Sequence, residues 1–167
     1  MKIVPLSKEN LEKAIKLVEN IFDSKPDEWD SPRKWMPASL NPNSNENKKL
    51  YSENKINFLK YFVGIEDEKI IATTGIYLME EDKLDSAWLA WFCVDKSYRG
   101  KGYGEMLIDF IISMAKKMNK KYLKLYTSKN PDLYNALKLY DKKGFKEIRK
   151  DVHPDTGEEL IYLSLEF

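Results

Sequence analysis

The sequence has few of the residues that anchor proteins through special chemistry. One cysteine among 167 residues excludes an internal disulfide framework. One histidine beside that single cysteine leaves almost no ligands for a zinc site, so no metal is expected. No segment approaches the ~18 consecutive apolar residues of a membrane-spanning helix, and the N-terminus lacks the apolar core of a signal peptide. We therefore expect a cytoplasmic protein without a membrane partner.

The sequence also lacks an excess of charge of one sign. Its 28 lysines and arginines face 27 aspartates and glutamates, which gives a formal net charge of +1. A nucleic-acid partner usually requires a concentrated basic face, so the composition predicts none. The hydrophobic fraction of 43% is ordinary for a globular protein and predicts a single domain over residues 1–167.

The first third of the chain combines regular patterns with an irregular insert. Residues 2–6 predict a strand, and Ser7 is the expected N-cap of a helix that continues to Phe22. Residues 23–48 have no clear period, and we interpret them as a loop and helix insert on the substrate side. A short helix is predicted near residues 49–59.

The remaining patterns predict mixed α and β structure with a strand–helix–strand crossover. A hairpin should turn at residues 66–69, and residues 87–94 predict a central strand because both of its faces are apolar. Asn130 is an expected N-cap, and Gly144 should end the helix that follows. Strict alternation along the central strand predicts one shared face for Trp88, Ala90, Phe92 and Val94.

Three of the seven glycines lie close together, at Gly100, Gly102 and Gly104. A glycine turn between a strand and a helix points backbone N–H groups outward, and the helix N-terminus adds partial positive charge. Arg99 and Lys101 add side-chain charge, so the stretch predicts a phosphate or pyrophosphate site. The spacing differs from that of the P-loop and of the dinucleotide fingerprint. The alternative is a turn that only connects the strand to the helix.

Two motifs resemble the GCN5-related N-acetyltransferase (GNAT) family. "RGKGYG" at residues 99–104 resembles the family signature [RQ]-x-x-G-x-[GA], and "ALKLYDKKGF" at residues 136–145 resembles its second motif. The order of the motifs agrees as well, and the resemblance covers residues 62–165. It implies an α/β (α+β) fold, with a mixed, mostly antiparallel twisted sheet of about six to seven strands and helices on both faces.

The resemblance also implies a reaction and a set of contacts. Acetyl-CoA would donate an acetyl group directly to a primary amine of a small molecule or protein, leaving CoA as product. The strand before the glycines would separate from its neighbour, so that its backbone can bind the pantetheine arm. The implied cofactor contacts are Phe92, Cys93, Val94, Arg99, Gly100, Lys101, Gly102, Tyr103, Gly104, Glu105, Asn130 and Lys143.

The catalytic residues follow the family pattern only in part. Tyr140 occupies the position of the family's general acid, although its spacing also fits a core aromatic residue. The strand position that often carries a catalytic glutamate is Trp88 here, so Glu80 and Glu81 are the substitute bases. Both also fit a solvated turn. The asparagine of the second motif is replaced by Leu133, and Asn130 or Asn135 is the candidate replacement, although Asn130 fits a helix cap equally well.

The acceptor side is predicted from aromatic residues. Trp29, Trp35, Trp88 and Trp91 are the candidate substrate contacts, and a wider acyl-CoA pocket is an alternative use of Trp88 and Trp91. The missing strand glutamate leaves a second function open, a catalytically weak acyl-CoA-binding sensor or interaction module. A homodimer is a further expectation, because an exposed final strand can pair with a second copy.

Overall fold

Seven strands form one sheet in the computed structural model, which describes all 167 residues. The order across the sheet is β1-β2-β3-β4-β5-β7-β6, and every neighbouring pair is antiparallel except β4 and β5. This confirms the predicted mixed, mostly antiparallel sheet. The strands are β1 (Lys2–Pro5), β2 (Ile56–Glu66), β3 (Lys69–Met79), β4 (Ser86–Val94), β5 (Tyr122–Ser128), β6 (Lys146–Val152) and β7 (Glu159–Glu166).

Helices cover both faces of the sheet, as predicted. On one face the core includes Val18, Met36 and Val63, and on the other it includes Ile108 and Leu123. No helix is both long and apolar enough to cross a lipid bilayer. The first face carries α1 (Leu11–Phe22), α2 (Pro32–Leu40) and α3 (Asn45–Glu53), and the second carries α4 (Tyr103–Lys117) and α5 (Tyr134–Lys142).

The N-terminal predictions are confirmed except for one cap. Strand β1 and helix α1 form where the patterns predict them. The β2–β3 hairpin turns at Asp67 and Glu68, both with left-handed φ, which suits a two-residue hairpin turn. Ser7 is not the N-cap of α1. Asn10 takes that position, and its Oδ1 accepts a hydrogen bond from the Ser7 backbone N–H at 2.8 Å.

The insert, residues 23–48, contains helix α2 and the first turn of α3. Ser31 caps α2, because its hydroxyl accepts from the Arg33 N–H and Pro32 occupies the first helical position. The helix predicted near residues 49–59 is wrong at its C-terminal end. Helix α3 ends at Glu53, Lys55 adopts a left-handed φ of 55°, and Ile56 already begins β2.

The position of the last strand overturns the reason for expecting a homodimer. Gly144, with a φ of 89°, ends α5 as predicted. The final strand β7 is not exposed at an edge, because it lies between β5 and β6. The edge strand is β6, whose seven residues are all exposed and mostly charged, a pattern that discourages pairing with other chains.

Candidate active site

The parallel strands β4 and β5 separate after a short paired stretch. Only Ser86, Ala87 and Trp88 of β4 pair with β5. Residues 89–94 remain paired with β3 but have no strand partner on the β5 side. The separation opens a cleft of about 350 Å³. A free strand edge of this kind can pair with an extended ligand.

A β-bulge interrupts β4 beside this cleft. Trp91 and Phe92 together oppose Thr74 of β3. Trp91 has a φ of 31°, in the left-handed region that a bulky side chain rarely adopts. The Thr73 hydroxyl donates to the Trp91 carbonyl oxygen at 2.8 Å. Strained backbone of this kind is concentrated at functional sites.

The bulge also reverses the alternation of side chains along β4. Ala90, Trp91 and Cys93 all contact the core beneath α1 and α2. Phe92 and Val94 pack on the opposite side, with Leu107 of α4. The shared face predicted for Trp88, Ala90, Phe92 and Val94 is therefore wrong, because one extra residue shifts the parity of the strand after Ala90.

The glycine loop, residues 99–105, leads from the free edge of β4 into α4. Gly100 and Gly102 have φ values of 78° and 80°, and a Cβ added at either would meet nothing within 4 Å. No backbone N–H from Gly100 to Glu105 donates a hydrogen bond within the protein. These six consecutive donors, at a helix N-terminus, suit a pyrophosphate group.

Side chains around the glycine loop fix its ends. Arg99 Nε donates to the Val94 carbonyl oxygen at 3.1 Å, which closes the loop onto the end of β4. The Tyr103 hydroxyl donates to Glu66 at 2.8 Å. Lys101 Nζ lies 5.1 Å from the centre of the Tyr98 ring and makes no ion pair. Lys101 is therefore a charged group of the loop that remains available to a ligand.

Three other predicted cofactor contacts already have partners in the protein. Lys143 Nζ lies 3.0 Å from Glu105 and 2.6 Å from Asp109, and the Asp109 carboxylate raises the pKa of Lys143. Asn130 Oδ1 accepts from the Asp132 N–H at 3.0 Å. The cap role predicted for Asn130 is thus present, at a 3-10 turn that precedes α5.

Tyr140 lies on α5 at the boundary between the core and the cleft. Its ring packs against Phe92 and Phe145, at centroid distances of 5.9 and 5.6 Å. The residue is 5% exposed, lines the cleft and makes no side-chain hydrogen bond. Burial raises the pKa of its phenol. The hydroxyl is therefore protonated at neutral pH and available to donate.

Cys93 lies on the other face of β4 and is not exposed to the cleft. Its sulfur is 3.2 Å from the Thr73 hydroxyl, and burial raises the pKa of the thiol to about 11. A thiol with such a pKa is a poor nucleophile at neutral pH. His153, the only histidine, faces Asp30 instead of Cys93.

All four tryptophans of the chain line the cleft, and these are the four residues predicted as substrate contacts. Trp35 is 6% exposed, and its indole N–H donates to the Trp29 carbonyl oxygen at 2.9 Å. The Trp88 indole N–H donates to Asp82, and that of Trp91 donates to the Asp30 carbonyl oxygen at 3.0 Å. The indole nitrogen of Trp29 is buried without a hydrogen-bond partner.

The structure separates the two glutamates predicted as bases. Glu80 is outside the cleft, where it accepts a hydrogen bond from Asn57 and pairs with Lys83, which lowers its pKa. Glu81 is exposed, lines the same cleft as Tyr140 and makes no ion pair. Only Glu81 is thus brought together with the candidate acid.

Two distant segments meet over the cleft and form what we call the roof, residues 24–31 and residues 153–158. The Trp29 backbone N–H donates to Asp155 Oδ2 at 2.8 Å, and the rings of Trp29 and His153 are 6.1 Å apart. Asp30 accepts from the Tyr126 hydroxyl at 2.9 Å. Sequence reasoning missed Asp30 and Tyr126 as site residues, because these partners are 96 positions apart and no local motif connects them.

Comparison with known proteins identifies the family. A family model described as an acetyltransferase (GNAT) domain matches residues 57–147, more than half of the chain. The chain therefore belongs to the GNAT family of acetyltransferases. No curated protein matches it. The side chains form no cluster that could hold a metal ion.

Solved structures of the family share the fold at low sequence identity. A GNAT-family protein from Desulfovibrio desulfuricans has 14% identity and a TM-score of 0.75, over 99% of this chain and 98% of that one. The ribosomal-protein-S18-alanine N-acetyltransferase of Escherichia coli has 21% identity and a TM-score of 0.67, over 99% and 92%. A GNAT family acetyltransferase from Elizabethkingia anophelis with acetyl-CoA bound has 18% identity and a TM-score of 0.61, over 99% and 97%. At these identities the likeness extends to the fold alone.

Proposed function

We propose that this protein transfers the acetyl group of acetyl-CoA directly to a primary amine. The observation that carries the proposal is the run of six free backbone N–H groups from Gly100 to Glu105, which follows the free edge of β4 after a short turn at residues 95–99. The N–H groups would bind the pyrophosphate, with Lys101 adding charge. The free backbone of Phe92 to Val94 would pair with the pantetheine arm.

Tyr140 would assist departure of the leaving group. Acetyl-CoA supplies a thioester, whose sulfur leaves as a thiolate with a pKa near ~8.5. Because burial raises the pKa of Tyr140, its hydroxyl keeps its proton and stabilises the thiolate by donating a hydrogen bond. The ring contacts with Phe92 and Phe145 hold that hydroxyl at the cleft.

The acceptor amine must attack in its neutral form. For a lysine-like amine with a pKa of ~10.4, deprotonation at pH 7 costs roughly 4–5 kcal/mol. Glu81 is the one predicted base that shares the cleft with Tyr140 and has no ion pair. Transfer is direct, because the raised pKa of Cys93 and its burial disfavour an acetylated cysteine.

Calorimetric titration of acetyl-CoA into the protein tests this proposal. We expect the wild-type protein to bind and the Gly102→Glu variant not to bind, because its carboxylate would enter the space of the pyrophosphate. Gly157→Glu is the matched control. Gly157 also has a left-handed φ, of 73°, and open space around it, but it lies in the roof, between β6 and β7, and not in the glycine loop.

The control separates loss of the anion site from backbone strain. Binding to the Gly157→Glu variant with none to the Gly102→Glu variant supports the assignment of the glycine loop. Absence of binding to the wild-type protein, or equal binding to all three proteins, contradicts it.

A further inference from the structure

One buried carboxylate, that of Asp30, lies in the part of the cleft beneath the roof. Its side chain is 14% exposed. Asp30 Oδ2 accepts from the Tyr126 hydroxyl at 2.9 Å, and Oδ1 lies 3.6 Å from Nε2 of His153. Neither partner is a lysine or an arginine, so this carboxylate is buried without a permanent cation.

The ring of His153 is anchored by its own loop rather than by Asp30. His153 Nδ1 accepts hydrogen bonds from the backbone N–H groups of Asp155 and Thr156, at 3.2 and 3.3 Å. Nδ1 therefore faces its own loop, and Nε2 faces Asp30 Oδ1 at 3.6 Å, which is beyond hydrogen-bond distance. No lysine or arginine pairs with the Asp30 carboxylate. A buried charge of this kind favours a cationic ligand.

Aromatic rings form a continuous wall around this carboxylate. Neighbouring ring centroids are 5.8 to 6.1 Å apart along the whole series. The faces of such rings attract cations, and their edges pack against apolar groups. The series runs through Tyr77, Trp88, Tyr162, Tyr126, Trp29 and His153.

Most of the other charged groups that line the cleft have the same sign as Asp30. Three further carboxylates line it, against one guanidinium, that of Arg149. A ligand that carries its own carboxylate is repelled here, whereas an ammonium group is attracted. The three carboxylates are those of Glu28, Glu81 and Glu158.

The roof limits the size of the ligand. Trp29 and Asp155 join its two segments, and the Asp30 carbonyl oxygen is held by the Trp91 indole. The cleft measures about 350 Å³, at the lower end of the range for small-molecule sites. This volume favours a small molecule over an extended peptide.

We infer that the acceptor is a small-molecule amine whose ammonium group is carried on an apolar chain or ring without a neighbouring carboxylate, and that Asp30 binds this ammonium group. This inference rests on the proposed acetyl transfer for its chemistry. Binding of the amine itself is independent of that chemistry. Asp30 is thus the specificity-determining residue of the cleft.

Two pairs of amines that differ by one carboxylate test the inference. Phenethylamine is compared with phenylalanine, cadaverine with lysine, and a peptide with N-terminal alanine represents protein acceptors. Intrinsic fluorescence measures binding without acetyl-CoA, because all four tryptophans line the cleft. Release of CoA thiol measures turnover in parallel.

We expect each carboxylate-free amine to bind about tenfold or more tightly than its carboxylated partner, since placing a like charge beside buried carboxylates has at least that effect. Asp30→Asn should remove most of this preference and leave the affinity for acetyl-CoA unchanged. Asp151→Asn is the control, because Asp151 is exposed on β6 and contacts only the adjacent Val152 N–H.

The readouts distinguish failure of the inference from failure of the proposed function. Preference for the peptide or the amino acids, or an unchanged preference in the Asp30→Asn variant, overturns the inference whatever the turnover. Selective amine binding that Asp30→Asn abolishes supports it even if no acceptor is acetylated. In that case only the proposed transfer reaction fails. The two pairs also show whether a ring or a diamine chain fits better.

Discussion

The roof lines the cleft, the glycine loop lies beside the cleft residue Phe92, and the two regions are assembled in opposite ways. The glycine loop consists of consecutive residues whose backbone supplies the binding groups, from Gly100 to Glu105. The roof joins Trp29 to Asp155, which are 126 positions apart, and its binding groups are side chains. A local backbone site can be recognised from a short motif. A site made of distant side chains depends on the finished fold.

Tyr140, which lies between these two regions, gives the largest expected effect. We expect Tyr140→Phe to lower kcat by about 100-fold, because the donor to the leaving thiolate is lost while the ring contacts remain. Steady-state kinetics and calorimetry measure kcat and acetyl-CoA affinity separately. Tyr51→Phe is the control, because it removes another buried hydroxyl whose pKa burial raises to about 12, on α3. Equal losses in both variants contradict a catalytic role for Tyr140.

The roof can be loosened without changing the glycine loop. Asp155→Ala removes the acceptor of the Trp29 N–H. We expect KM for the amine to rise roughly five- to tenfold, the effect of losing one charge-assisted hydrogen bond, with the acetyl-CoA affinity unchanged. Initial rates at varied amine concentration measure this, with Asp151→Ala as the matched surface control. A rise in KM for acetyl-CoA instead contradicts the separation of the two regions.

The buried carboxylate of Asp30 should lower the free energy of unfolding at neutral and alkaline pH. Burial raises the pKa of Asp30, so the folded state holds the carboxyl proton more tightly than the unfolded chain does. The wild-type protein therefore loses stability as the pH rises through this raised pKa, whereas the Asp30→Asn variant does not. We expect the variant to melt roughly 2–4 °C higher than the wild type at pH 8.

The pH dependence provides the check on that explanation. The difference in melting temperature should shrink as the pH falls and disappear below the ordinary aspartate pKa of ~3.9, where both states are protonated. Thermal unfolding between pH 3.5 and pH 8 measures it. If the difference in melting temperature does not vary with pH, packing rather than the charge of Asp30 causes it.

Cys93 gives the smallest expected effect. Because burial raises the pKa of the thiol to about 11, we expect slow alkylation of the native protein at pH 8 and rapid alkylation after unfolding. Cys93→Ala should keep kcat within about twofold, since direct transfer needs no thiol. Mass spectrometry of the protein after turnover completes the test. Acetylated Cys93, or a large loss of kcat, contradicts direct transfer.

The sequence predicts most of the fold because its signals are local. Apolar periodicity identifies α1 and β4, and the β2–β3 turn is marked by the acidic stretch at residues 66–68. The errors occur where tertiary structure overrides pattern. Helix α3 gives way to β2 at Ile56 because ten of the eleven residues of that strand pair with β3 and the preceding Lys55 adopts a left-handed φ.

The residues of the candidate site also differ in whether a local motif predicts them or only the fold brings them together. The glycine loop and Tyr140 are each predicted from a short motif of consecutive residues, 99–104 and 136–145. Asp30 gave no signal, because its neighbours Tyr126 and His153 reach it only after the sheet is formed. Glu80 and Glu81 are adjacent in sequence, yet only Glu81 reaches the cleft. Which of two neighbouring side chains faces a cavity depends on strand and turn geometry that composition does not reveal.

The bulge at Trp91 affects which single-residue deletions β4 can tolerate. Deleting Trp91 itself would remove the bulge and leave Cys93 and Val94 on their present faces. Deleting a residue of β4 beyond the bulge, such as Cys93, would instead turn Val94 to the opposite face and draw the glycine loop back by one residue. A surface connection such as residues 41–44 could absorb a single-residue deletion. The same change in this part of β4 is therefore expected to abolish acetyl-CoA binding. In a library of single-residue deletions, this short stretch of β4 should show the lowest tolerance in the chain.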